Sequence, residues 1–372
     1  MRRLFWVLML GSIALAGARP ARAQAASASG GLSKATRAEV LASIAKGLRY
    51  LDEHQKPDGS WESDIGISGL AALAYLRNPA APGTIPPNVD RSLAFITSNV
   101  KPDGGIYVRD LSNYYTAVAL KAITAAGEPK YAPIVDKAKV YLASLQVDEG
   151  EDYTKSHKFY GGIGYGSDLR PDMANLEFAL SALKDSALPS EDPLWQKALL
   201  FVQRTQNRSE SNDQAWAGDD GGFVYYPGFS YGGDGKGTQS YGSMTYAGLL
   251  SYAYADVKKS DPRVEAALRW IREHYTLDEN PGMGLKTLYY YYMVFAKALN
   301  AFGEEVVVDR EGRSHNWREE LGKKLVSVQY PEGYWVNQDP AWWQDNKVLV
   351  TSFTLIALEH VLGDPGREHA SK

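Results

Sequence analysis

The chain has 372 residues, 44% of them hydrophobic, a formal net charge of −4 and no cysteine. That balance describes a soluble globular protein with material for a large core, excludes an intrinsically disordered one, and offers no basic stripe for nucleic acid. Without cysteine there can be no disulfide, no thiolate nucleophile, no Cys-ligated zinc and no lipoprotein anchor.

The chain opens with Arg2 and Arg3, the apolar run Leu4 to Leu15, and the small-residue site Ala21-Arg22-Ala23. Residues 1–23 read as a Sec-type signal peptide, with a twin-arginine signal as the alternative, because the apolar run is shorter than the ~20 residues of a spanning helix. Export to the periplasm or the extracellular space follows, with no integral membrane segment after cleavage. Residues 24–36, rich in Ala, Ser and Gly, read as a flexible leader. A single domain is expected over 37–363, and a flexible tail over 364–372.

Within that domain an amphipathic helix runs six times into a Gly-containing turn and then into a more apolar helix. The turns are Asp58-Gly59-Ser60-Trp61, Asp103-Gly104-Gly105-Ile106-Tyr107, Gly161-Gly162-Ile163-Gly164-Tyr165, Gly221-Gly222-Phe223-Val224-Tyr225, Gly282-Met283-Gly284-Leu285 and Glu332-Gly333-Tyr334-Trp335. The first helix of a pair carries one apolar stripe, as in Val264, Ala267, Leu268 and Ile271. The second is apolar almost all round, as in Met244 to Ala255 and Thr351 to Leu362, and must be covered on most of its surface. An inner ring within an outer ring satisfies both patterns. The predicted fold is therefore all-α, an α/α toroid of about six helix pairs, with an open solenoid as the runner-up. Inserts at 147–172 and 207–239 are long enough to be ordered over one rim. Val306 to Val308 before Asp309-Arg310-Glu311-Gly312 predicts a short β-hairpin.

The segment Lys46-Gly47-Leu48-Arg49-Tyr50-Leu51, then Gln55 and Asp58-Gly59-Ser60-Trp61, resembles the QW motif of squalene and oxidosqualene cyclases. Weaker copies contain Gln146, Gln206, and Gln329 before Trp335. Asp172 to Leu180, Gly242 to Thr245 and Thr351 to Phe353 look similar to exported bacterial proteins with prenyltransferase/squalene-oxidase repeats. The resemblance, over roughly 37–362, is to the terpenoid cyclase/protein prenyltransferase toroids. It implies that the Gln amide bonds backbone at a neighbouring helix end while the Trp ring packs over it, a structural role. It also implies a central cavity whose mouth is ringed by the N-terminal ends of the inner helices.

The chemistry of those relatives is not carried over. No Asp-X-Asp-Asp acid motif and no Asp-Asp-X-X-Asp magnesium motif are present, and the prenyltransferase zinc set lacks its cysteine. No nucleophile elbow or phosphate loop is found, and Gly232 to Thr238 reads as a Gly loop. His54, His274 and His360 fall near helix C-termini, where capping is the simpler role. No metal or cofactor is expected, and the sequence does not assign catalysis. If there is a non-standard acid, Asp172 and Asp220 are the candidates.

Candidate ligand-binding residues at the mouth are Asp64, Tyr114, Tyr115, Asn175, Tyr241, Tyr289, Tyr290, Asp345 and Asn346, with Asn113, Gln239 and Lys286 nearby. Free N–H groups at those helix ends would favour anionic or polar groups. The 24 tyrosines outnumber the 10 phenylalanines, and Tyr289 to Tyr292 cover every side of one helix, so at least one ring should face the lumen. Such a lining suits a hydrophobic small molecule or a glycan. The expected function is an exported toroid that binds such a ligand. The alternatives are a cyclase-like or isoprenoid-transferring enzyme and a polysaccharide lyase-like toroid.

Overall fold

A computed structural model describes residues 31–166 and 170–363. The expected signal peptide, most of the leader and the tail lie outside the described residues. The helices are α1 (Lys34–Glu53), α2 (Ile65–Leu76), α3 (Pro87–Thr97), α4 (Ser112–Ala126), α5 (Ala132–Ala143), α6 (Met173–Asp185), α7 (Pro193–Thr205), α8 (Gly242–Tyr254), α9 (Pro262–Glu273), α10 (Leu288–Ala301), α11 (Trp317–Ser327) and α12 (Lys347–Leu362). Helix α1 begins at Lys34, three residues ahead of the expected domain start, because Ser33 caps it by accepting the Thr36 amide proton.

The even-numbered helices form the inner ring. Each packs on the next, and α12 returns to α2, which closes the circle and rules out an open solenoid. The odd-numbered helices lie outside: α3 packs on α2 and α4, α7 on α6 and α8, and α1 on α12 and α2. Burial follows the two sequence patterns. Helix α9 hides Val264, Ala267, Leu268 and Ile271 and exposes Glu265, Arg269 and Arg272, whereas α8 is buried along its whole length. No described helix is long and apolar enough to cross a membrane.

The turns have a common construction. Gly59, Gly104, Gly161, Gly221, Gly282 and Gly333 all lie at positive φ, between 83° and 103°, where a side chain is strained. Four glutamines stitch the outer ring. Gln55, Gln146, Gln206 and Gln329 each donate one amide nitrogen to the carbonyl of the turn glycine and to a carbonyl of the next outer helix, those of Asn88, Leu194, Arg263 and Ser43. The indoles of Trp61 and Trp335 donate to the last-turn carbonyls of Leu51 and Leu325. On the inner side, hydroxyls of Ser68, Thr116, Thr245 and Thr351 accept the amide protons of Trp61, Ile106, Phe223 and Trp335.

The predicted hairpin is present as β1 (Val307–Val308) antiparallel to β2 (Ser314–His315). His54 and His274 cap α1 and α9, each with Nδ1 within 3 Å of a carbonyl one turn back. Between the ends of the chain, Glu319 of α11 accepts from the Ser33 amide at 2.9 Å, the Ser33 hydroxyl at 3.0 Å and the Thr36 hydroxyl at 2.6 Å. Burial works to raise this carboxyl, yet the bonds from Thr36, Ser33 and Lys323 hold it down at about 2, below the ordinary 4.5. A depressed carboxyl contributes stability above its unfolded value and loses it as the pH falls through the folded one. Hydrogen-exchange protection in the first turn of α1, taken relative to the intrinsic exchange rate at each pH, is therefore expected to fall as pH drops from about 5 to 2, and Glu319→Gln should abolish that dependence.

Candidate ligand-binding site

A cavity of about 370 Å³ occupies the lumen at the N-terminal ends of the inner helices. All six inner helices reach it: Asp64 and Ile67 from the start of α2, Tyr114 and Tyr115 from α4, Asn175 and Phe178 from α6, Tyr241 and Met244 from α8, Thr287 and Tyr290 from α10, and Leu349 and Phe353 from α12. The two long inserts add Tyr165, Tyr225 and Tyr231, and the loop before α12 adds Trp342, Trp343 and Gln344. Seven tyrosines and four other aromatic residues thus surround a space of the size used for small ligands. Among the described residues, Asp64 is the one charged residue in the lining, and no Lys, Arg or His is part of it.

Free N–H groups are expected at these helix ends, and the chain itself engages one or two amides at each. Asp64 accepts from Ile67, Asp172 from Asn175, and Asn346 from Leu349. Asn280 accepts from Ser243 and Gln344 from Tyr289, while the amides of Asn113 and Met173 go to the carbonyls of Tyr165 and Tyr225. Part of each helix end's first-turn donors is thereby engaged, which leaves fewer for a phosphate or carboxylate. Asp64 also accepts the Tyr115 hydroxyl at 2.7 Å, with Arg109 at 3.9 Å on its solvent side.

Burial pushes the phenols of Tyr114, Tyr225, Tyr241 and Tyr290 far up, and nearby carboxylates add to it: Asp64 for Tyr114, Asp172 for Tyr225 and Tyr241, and Glu177 ahead of Asp172 for Tyr290. All four are neutral hydroxyls at physiological pH. The floor is a raft of rings. Tyr290 lies 6.1 Å from Phe178 and 6.0 Å from Phe353, and Tyr114 meets Phe178 edge-on at 5.1 Å, all within the favourable range for aromatic pairs.

Beside and beyond the floor, the inner helices carry buried charges. Lys121 lies 2.5 Å from both Ser181 and Asp185, Arg77 is 3.2 Å from Asp185, and Lys297 is 2.7 Å from Glu177. Glu359 is buried beside them, and burial drives its carboxyl well above the usual range, with Arg77 opposing. Lys121, Asp185, Lys297 and Glu359 lie toward the C-terminal ends of inner helices and Arg77 follows α2, whereas Glu177 lies in the second turn of α6, next to Phe178.

Of the residues singled out from sequence, Asp64, Tyr114, Tyr115, Asn175, Tyr241 and Tyr290 line the cavity. Tyr289, one residue from Tyr290, is turned away by the helical phase and packs edge-on against Tyr292 at 5.6 Å. Asp345 is exposed outside the lining, and Asn346 is spent as the α12 cap. Asp172 is buried as the α6 cap, holding both the amide and the side chain of Asn175. Asp220 braces its turn through Gly222 and Ser240 and is not in the lining. Asn113 bridges α4 to the carbonyls of Gly164 and Asn175. Sequence reasoning missed Trp342 and Trp343, which stand 44% and 53% exposed at the mouth. Both have positive φ, 53° and 62°, unusual for bulky residues; a Trp pair in a loop was the available signal.

A closed double ring of helices around an aromatic lumen defines a terpenoid cyclase-like α/α toroid. No family model matches the chain, and no curated protein matches it. Solved structures do. The type II terpene cyclase MstE from Scytonema, determined with its substrate geranylgeranyl dihydroxybenzoate, aligns with a TM-score of 0.54 at 14% identity, covering 89% of this chain and 98% of that one. A glycosidase aligns equally well, with a TM-score of 0.54 at 13% identity over 89% and 99% of the two chains. A glycosidase structure in complex with glucose aligns with a TM-score of 0.50 at 12% identity, over 89% and 99%. At such identities the likeness is one of fold. Among the described residues no group of three or more His, Cys, Asp or Glu is placed to hold a metal.

Proposed function

We propose that this toroid is an exported ligand-binding protein whose cavity takes a compact, neutral, largely apolar molecule of isoprenoid type. The observation that carries the reading is a lining that, among the described residues, has eleven aromatic side chains and no cationic one. Prenyl diphosphates and acidic glycans need cations or free helix N–H groups; among the described residues the first are absent from the lining, and the second are partly engaged. Aromatic faces suit an apolar ring or branched chain. The tyrosine hydroxyls favour a neutral sugar as the second reading. Under the proposal Asp172 and Asp220 serve as a helix cap and a turn brace, and the Gln and Trp contacts of the turns are QW-type stitching.

Thermal melting against a panel tests it. Neutral mono- and sesquiterpenoids at saturating concentration are expected to stabilise the protein, by about 2.7 kcal/mol at a hundredfold excess over Kd. Prenyl diphosphates of equal chain length should give a smaller shift, and Phe178→Ala should diminish both. A larger shift with diphosphates, or with glucose oligomers, would refute the isoprenoid reading.

A further inference from the structure

The Tyr290 side chain is 8% exposed, and its hydroxyl oxygen is buried without a hydrogen-bond partner. Its ring is held between Phe178 and Phe353, so the hydroxyl cannot swing far to find one. Glu177 and Asp172 are felt electrostatically there, yet neither accepts its proton. Buried hydroxyls in folded proteins are almost always paired, because leaving one unpaired forfeits its hydration without return. An orphan at the floor of a ligand cavity is the kind of exception that a ligand atom resolves.

We infer that Tyr290 is a specificity-determining residue, and that the cavity's ligand carries a neutral oxygen, a ketone, ether or hydroxyl, at its buried end to accept the Tyr290 proton. This rests on the cavity being a ligand site. It adds the polarity of the ligand's inner end: a plain hydrocarbon would leave the hydroxyl orphaned, and an ionised group would enter a space with no cation to meet it.

The first test needs no ligand. Tyr290→Phe keeps the ring and removes only the orphan oxygen, so the ligand-free variant is expected to melt about 2 °C higher than wild type. A lower melting temperature would mean that the hydroxyl is already satisfied, and would overturn the inference. The second test uses camphor and its hydrocarbon counterpart camphane, measured by calorimetry on both proteins. Wild type is expected to prefer camphor by about fivefold, with the preference gone in Tyr290→Phe. Camphane binding to wild type as tightly as camphor would overturn the inference and leave the cavity reading intact. Failure of both probes to bind wild type would count against the cavity reading, and the inference would fall with it.

Discussion

Lys297→Met is expected to destabilise the protein by about 3–5 kcal/mol, the cost of leaving a buried charge without its partner. Glu177 is fully buried and Lys297 is 3% exposed, with 2.7 Å between Nζ and Oε1. Removing the ammonium leaves Glu177 with the Tyr254 hydroxyl, at 3.3 Å, as its one hydrogen-bond partner. A single neutral hydroxyl does not offset the desolvation of a carboxylate. The double variant Lys297→Met with Glu177→Leu removes both charges and fills the volume, so it should recover most of the loss. Urea denaturation of the two variants measures this through their midpoints. A single variant as stable as wild type would show that the charged pair beside the aromatic floor is solvated.

Gly161→Ala should cost a similar amount, about 3–5 kcal/mol, by combining backbone strain with an overlap that cannot relax. Gly161 has φ of +85°, and an added Cβ would run into the backbone carbonyl of Lys197 in α7. The glycine is also pinned, its amide donating to Val147 at 2.7 Å and its carbonyl accepting from Gln146 at 3.0 Å. Gly284 provides the control, since it has φ of +59° and open space where its Cβ would be. Gly284→Ala is expected to cost only the left-handed penalty, about 1 kcal/mol. If the two alanine variants melt together, close approach of the turn to the next outer helix is not what selects glycine at 161.

The double ring could be read from the chain because each half of a pair carries its own signature. The stripe of α9 and the unbroken apolar surface of α12 state which helix meets water and which does not, and the hairpin announces itself through three valines ahead of an Asp-Arg-Glu-Gly turn. The cavity's address came from the resemblance to the cyclase toroids, which put its mouth at the starts of the inner helices, where Tyr114, Tyr115, Asn175 and Tyr241 lie. A lone Lys121, Glu177 or Lys297 inside such a helix was a visible oddity as well, although nothing local says which acid meets which base.

Local sequence by itself thus determined the kinds of helix and their number, because periodicity and turn chemistry act over a few residues, while the end of the ring that holds the cavity was implied by the resemblance to the cyclase toroids. Only the tertiary structure decided that Tyr290 rather than Tyr289 faces the lumen, that some of the helix N–H groups are taken by distant residues such as Asn280 and Gln344, and that loops bring Tyr225, Tyr231 and Trp342 over the mouth. Those outcomes depend on the rotation of each helix about its axis and on the path of long inserts. Both are set by packing between segments far apart in the chain.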